Sequence, residues 1–138
     1  MRQFLRAVLI GSLVLTTACH LREKIADFSA QPIPARSPGR SLDEIAREIK
    51  AAGTPLDWTI EDAGPGKLIA THGHPKGFAA TVEISFTQTA YSITLLKSER
   101  LYEKDGAIST HYNAWARDLK AAIDRQLASS ATATGGPL

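Results

Sequence analysis

Hydrophobic residues recur along this chain with three different spacings, and each spacing points to a different kind of element. From Ala7 to Leu15 they form one nearly continuous run. Leu42, Ile45, Ala46 and Ile49 form the one-sided stripe of a helix. Ser41 and Glu44 have the spacing of a capping box at its start, and Gly53 followed by Pro55 marks its end. Asp43, Arg47, Glu48 and Lys50 make a charged, solvent-facing side. The period then drops to two. Leu56, Trp58 and Ile60 alternate with Asp57, Thr59 and Glu61, and Gly64-Pro65-Gly66 makes a turn. Lys67–Thr71 is a second strand, closed by the loop His72-Gly73-His74-Pro75-Lys76-Gly77. In a third, Ala80, Val82, Ile84 and Phe86 face one way, while Thr81, Glu83 and Ser85 face the other. Tyr91, Ile93 and Leu95 continue the pattern in a fourth. After an irregular stretch with an Asp105-Gly106 turn, Tyr112, Trp115, Leu119, Ile123 and Leu127 line a final helix from about Thr110.

Short connections between successive strands favour an antiparallel meander. The expected fold is therefore a two-layer α+β domain over residues 41–128: one helix, a four-stranded antiparallel meander, then a second helix (α-β-β-β-β-α). Both helices lie on the apolar face of the sheet. Residues 19–40 hold Pro32, Pro34, Pro38 and Gly39 with no sustained apolar period, which predicts an extended linker reaching at most roughly 70 Å. Residues 129–138, SSATATGGPL, read as a disordered tail.

The first apolar run follows Arg2 and Arg6 and precedes the small residues Thr16, Thr17 and Ala18, the layout of an export signal removed after residue 18. At about 10 residues it falls well short of the roughly 20 that a membrane-spanning helix needs. It ends at Cys19, the chain's single cysteine. Leu15, Thr17, Ala18 and Cys19 resemble the lipobox of bacterial lipoproteins, with Thr16 where that pattern usually has Leu. The resemblance implies acylation of Cys19 and removal of residues 1–18. His20, where Asp would signal retention in the inner membrane, implies the outer membrane, with the domain in the periplasm.

Charge changes the picture little. The sixteen Lys and Arg include Arg2 and Arg6, so cleavage leaves as many basic as the fourteen acidic residues. The 41–128 body is slightly acidic, which argues against a nucleic-acid partner. Residues 20–40 carry Arg22, Lys24, Arg36 and Arg40, which could lie against anionic head groups but read most simply as solubilising charge on the linker.

Over roughly residues 41–127 the chain resembles a family of small uncharacterised proteobacterial lipoproteins. The matching positions include Trp58, Gly66, Ala80, Val82, Ile84, Tyr91-Ser92-Ile93, Leu101-Tyr102 and the Tyr112-Asn113-x-Trp115 opening of the last helix. The resemblance implies location and fold and carries over no catalytic residue.

Candidate chemistry is sparse. His72 and His74, two apart in an extended segment, could share a metal. A firm site needs a third or fourth ligand, for which His111 or Asp62 would be guesses, so a plain loop is preferred and no metal or cofactor is expected. Trp58, Tyr91, Asn113 and Trp115 form a possible binding surface, although the periodic positions of the aromatic residues fit core packing better. Asn113 either hydrogen-bonds the preceding loop or marks a binding rim. Tyr91–Leu95 could be an open edge strand for a partner. No nucleophile elbow, phosphate loop or zinc-protease pair is present, and no enzyme is expected. The preferred reading is a membrane-anchored, non-catalytic interaction or envelope-support module with an envelope protein as partner; the alternative is a periplasmic binder of a small ligand or metal ion.

Overall fold

The computed structural model describes residues 21–74 and 76–133. Cys19, the export segment before it and the chain after residue 133 lie outside these residues, as does Pro75.

Helix α1, Leu42–Gly53, forms as its stripe predicts. Ser41 Oγ accepts the Glu44 amide at 3.2 Å, and Glu44 Oε2 accepts the Ser41 amide at 2.7 Å. That backbone donor, helped by Arg36, holds the Glu44 carboxyl at about 2. Gly53 is the last residue of the helix, but its backbone is right-handed. It is small for another reason: a Cβ there would stand 2.5 Å from Ile60 Cδ1 and 3.2 Å from Leu119 Cδ1. A 3-10 turn, Thr54–Leu56, leads through Asp57, in the left-handed conformation (φ 63°), into the sheet.

Four predicted strands are present: Trp58–Asp62, Lys67–Gly73, Ala79–Phe86 and Ala90–Glu99. The fold is nevertheless not a four-stranded meander flanked by one helix on each side. Two strands precede α1, β1 (Arg22–Lys24) and β2 (Phe28–Pro32), so the four are β3 to β6 in chain order. β2 pairs antiparallel with β6, giving a five-stranded sheet of order β2-β6-β5-β4-β3. β1 pairs with β7 (Ala107–Ser109), inside the stretch expected to be irregular, and the two form a separate ribbon. The segment expected to be a tether is therefore built into the fold.

The physical reason is visible in the residues. Every residue of β1 is exposed, so it carries no alternation. β2 is bulged at Ala30 (φ 49°) and ends on Pro32, as an outer strand tolerates. Its register with β6 jumps between Phe28 and Gln31, which erases any period of two. Ile33 is buried, while Ile25 and Phe28 pack against the core.

Helix α2 spans Thr110–Thr132 and so runs past residue 128 into the expected tail. Its stripe Tyr112, Ala116, Leu119, Ile123 and Leu127 is fully buried against Ile45 and Ile49 of α1 and Leu68, Ala70, Val82, Ile84 and Ile93 of the sheet. Each large aliphatic side chain so buried contributes about 1.5–3 kcal/mol. The outward face of the sheet is polar: Thr71 and Thr81 hydroxyls meet at 3.3 Å, and Lys67 pairs with Glu83 at 3.3 Å. Among the described residues no helix is long and apolar enough to cross a membrane.

One buried cation fastens the N-terminal segment to the helices. Arg40, expected to be linker charge, is 4 % exposed. It donates to the Pro34 carbonyl (2.7 Å), the Leu127 carbonyl (2.6 Å) and Ser130 Oγ (2.7 Å), and pairs with Glu48 at 3.2 Å. Ser130, in the expected tail, also donates to Glu48 at 2.8 Å. Arg36 likewise pairs with Glu44 at 2.9 Å.

Candidate functional site

Pairing in the sheet sets Trp58 of β3 directly opposite His72 of β4. Cross-strand partners point to one face, and Leu68, Ala70 and His72 alternate onto the core side. His72 thus lies at the end of the core, its ring between Trp58 (centroids 5.1 Å apart) and Trp115 of α2 (4.3 Å). Its Nδ1 is buried without a hydrogen-bond partner. Burial lowers its pKa below the ordinary 6.5, while the Asp57 carboxylate and a backbone hydrogen bond to Leu56 act in the other direction. The ring is therefore neutral at pH 7.

Beyond His72 the chain must turn back at once. Gly73 has φ 103°, and a Cβ there would stand 2.0 Å from the Phe78 carbonyl oxygen. Only glycine fits. The His74 amide donates to Phe78 O at 3.2 Å and the Gly77 amide to His74 O at 2.9 Å, closing the loop. Phe78 is left half-exposed, its ring stacked on His111 at 6.0 Å and 8°. His111 is placed by the start of α2, where Ser109 Oγ caps the helix by accepting the His111 amide and stands 3.0 Å from His111 Nδ1.

These side chains enclose a half-open cleft of about 640 Å³, lined by Asp57, His72, His74, Phe78 and Trp115 with Gly73 and Gly77. That volume lies within the range of small-molecule sites. Its walls are mainly aromatic, with one neutral imidazole at the inner end and one carboxylate beside it. Such a site can hold a flat apolar group.

The expected site residues are only partly brought together. His72 faces the core between two indoles, while His74 lines the cleft from the loop. Among the described residues no three His, Cys, Asp or Glu side chains are placed to hold a metal. Trp58 is buried beneath His72, and Trp115 lines the cleft. Tyr91 lies elsewhere in the core, its hydroxyl donating to Asp124 Oδ1 at 2.5 Å; burial first, then Asp124, raises its pKa strongly. Nor is Tyr91–Leu95 an open edge, because β2 covers β6 at Tyr91 and Ile93.

Asn113 is fully buried and holds the segment between β1 and β2. Its Oδ1 accepts the Ala26 amide at 2.9 Å, and its Nδ2 donates to the Lys24 carbonyl (2.8 Å) and Glu23 Oε2 (3.1 Å). Asp57 and Phe78 are cleft residues that the periodicity analysis passed over. Phe78 carried a signal, a large apolar residue beside a Gly-rich turn and out of step with the strand that follows.

The chain matches no protein-family model, no curated protein and no solved structure.

Proposed function

We propose that the protein is an envelope lipoprotein, acylated at Cys19 and held at the outer membrane, whose periplasmic domain is a non-catalytic interaction module. The location rests on the N-terminal pattern. The mode of action rests on one observation: a half-open cleft walled by His72, His74, Phe78 and Trp115, with the Asp57 carboxylate at its rim. An apolar or aromatic side chain of an envelope partner fits such a cleft. The volume favours a second reading, in which a free small ligand fills the cleft.

Two experiments test the proposal. Labelled palmitate should follow the protein in cells and vanish with Cys19→Ala; a soluble, unlabelled mature protein would refute the anchor. A photo-crosslinking residue at Phe78 should yield one reproducible protein adduct that is lost on Trp115→Ala. No adduct above that from a probe at Ala128, on the far part of α2, would refute the partner reading. Saturable calorimetric binding of a small aromatic compound, abolished by Trp115→Ala, would favour the second reading.

A further inference from the structure

The β1–β7 ribbon has two different faces. Opposite residues in its register are Arg22 and Ser109, Glu23 and Ile108, Lys24 and Ala107. Glu23 and Ile108 turn toward α2: Ile108 is fully buried, and the part-exposed Glu23 carboxylate is held by Asn113 Nδ2 and, at 3.2 Å, by Arg117. By the alternation of a strand, Arg22 and Lys24 point the opposite way. Lys104 joins them, since it bridges to Ala107, which stands opposite Lys24. All three cations are exposed, and among the described residues none pairs with a carboxylate, whereas Arg36 and Arg40 of the same N-terminal segment are both ion-paired. The turn that brings Lys104 here is Asp105-Gly106, both with positive φ, so Asp105 offsets part of the charge, as do Asp27 and Glu103, which line a hollow together with Lys24. Leu21, 75 % exposed, and the half-exposed Tyr102 stand at the same end: the Leu21 carbonyl accepts the Thr110 amide, and the carbonyl of Leu101 accepts that of Ser109.

We infer that this ribbon face lies against the anionic head groups of the membrane that holds Cys19. The inference rests on the lipoprotein reading and deepens it. With the supposed linker folded into the domain, Cys19 is three residues from Arg22, a reach of about 10 Å when fully extended. That is close to the thickness of one head-group layer, about 5–8 Å. A domain leashed at that distance cannot stand clear of the bilayer, and the surface nearest the anchor carries cations with an exposed Leu and Tyr, the composition of an interfacial contact.

Cys19 is the chain's one cysteine, and acylation would leave an introduced thiol as the only reactive one. The test is therefore a spin label at Lys24→Cys or Ala128→Cys in acylated protein on vesicles of phosphatidylethanolamine with phosphatidylglycerol. The label at 24 should be shielded from a water-soluble relaxant and the label at 128 open to it; Arg22→Gln with Lys104→Gln should return the label at 24 to water. In the unacylated Cys19→Ser chain, each of Arg22→Gln, Lys24→Gln and Lys104→Gln should weaken partitioning onto the same vesicles about fivefold. Equal water exposure at 24 and 128, or a label at 24 unmoved by the double substitution, would overturn the inference with the anchor intact. Protein that takes up no palmitate and stays off the vesicles would remove the anchor and this orientation together.

Discussion

Tyr112 buries its whole side chain yet finds no partner for its hydroxyl. Burial first, then the charges of Asp27 and Glu103, pushes its pKa up to about 12. The hydroxyl is desolvated without return, so Tyr112→Phe should raise stability by about 1 kcal/mol, read as a higher urea midpoint at unchanged slope. A lower midpoint would mean that the oxygen has a partner. His72 gives a pH prediction with a definite sign. Its folded pKa lies below 6.5, so the unfolded chain takes up the proton first as pH falls. Stability is complete above 6.5 and declines as pH falls through the lower folded value. His72→Phe should flatten that part of the stability–pH curve; an unchanged slope would assign it to other groups.

At the scale of elements, two polar side chains do what no hydrophobic stripe could. Arg40 ties the chain before α1 to the last turns of α2. Arg40→Ala takes the cation from the largely covered Glu48 carboxylate and leaves it and the Leu127 carbonyl to Ser130, and should cost about 2–3 kcal/mol in denaturant titrations. Arg40→Lys, with one ammonium in place of a fork, should recover only part of this loss. A wild-type midpoint for the alanine variant would show that the clamp contributes nothing. Gly73 plays the corresponding part for the cleft: Gly73→Ala forces a Cβ against the Phe78 carbonyl at a backbone angle that Ala avoids, and should cost about 2 kcal/mol or more. Because the loop must shift to accept it, the 78–111 ring stack should loosen too, seen as altered aromatic chemical shifts of Phe78 and His111.

For the whole molecule, the consequence of β1 and β2 is that the fold takes in chain well before residue 41, reaching back at least to Arg22. A chain trimmed to residue 41 loses the outer strand, Ile33 from the core and the Arg40 clamp. It should therefore melt well below the full domain or fail to fold cooperatively. Equal melting temperatures would restore the picture of a domain on a free leash. The same change of boundary alters what an acylated Cys19 would do, turning a long tether into a short one that fixes which face meets the membrane.

Helix α1 with its capping box, strands β3 to β6 and the stripe of α2 were legible because local periodicity and local capping determine them: Ser41 and Glu44 are three residues apart, and Val82 and Ile84 two. The outlying strands were not. Arg22–Lys24 and Phe28–Pro32 have neither period nor strong propensity, and they are strands only because β7 and β6 offer them partners 58 to 87 residues away. The cleft followed the same division. Trp58, His72, His74 and Trp115 could be named as candidates from residue type, but which of them meet was set by the Trp58–His72 register and the crossing of α2. Asn113 and Arg40 were visible as polar residues, and only the tertiary structure made them clamps, since the partners of their side chains lie 87 to 90 residues away except for nearby Pro34 and Glu48. By itself the sequence determined the export-like start, the lone Cys19 and the elements whose contacts are near neighbours. Tertiary structure decided where the domain begins, what its polar residues hold and which side chains share a cleft, because those depend on long-range pairing that no local pattern encodes.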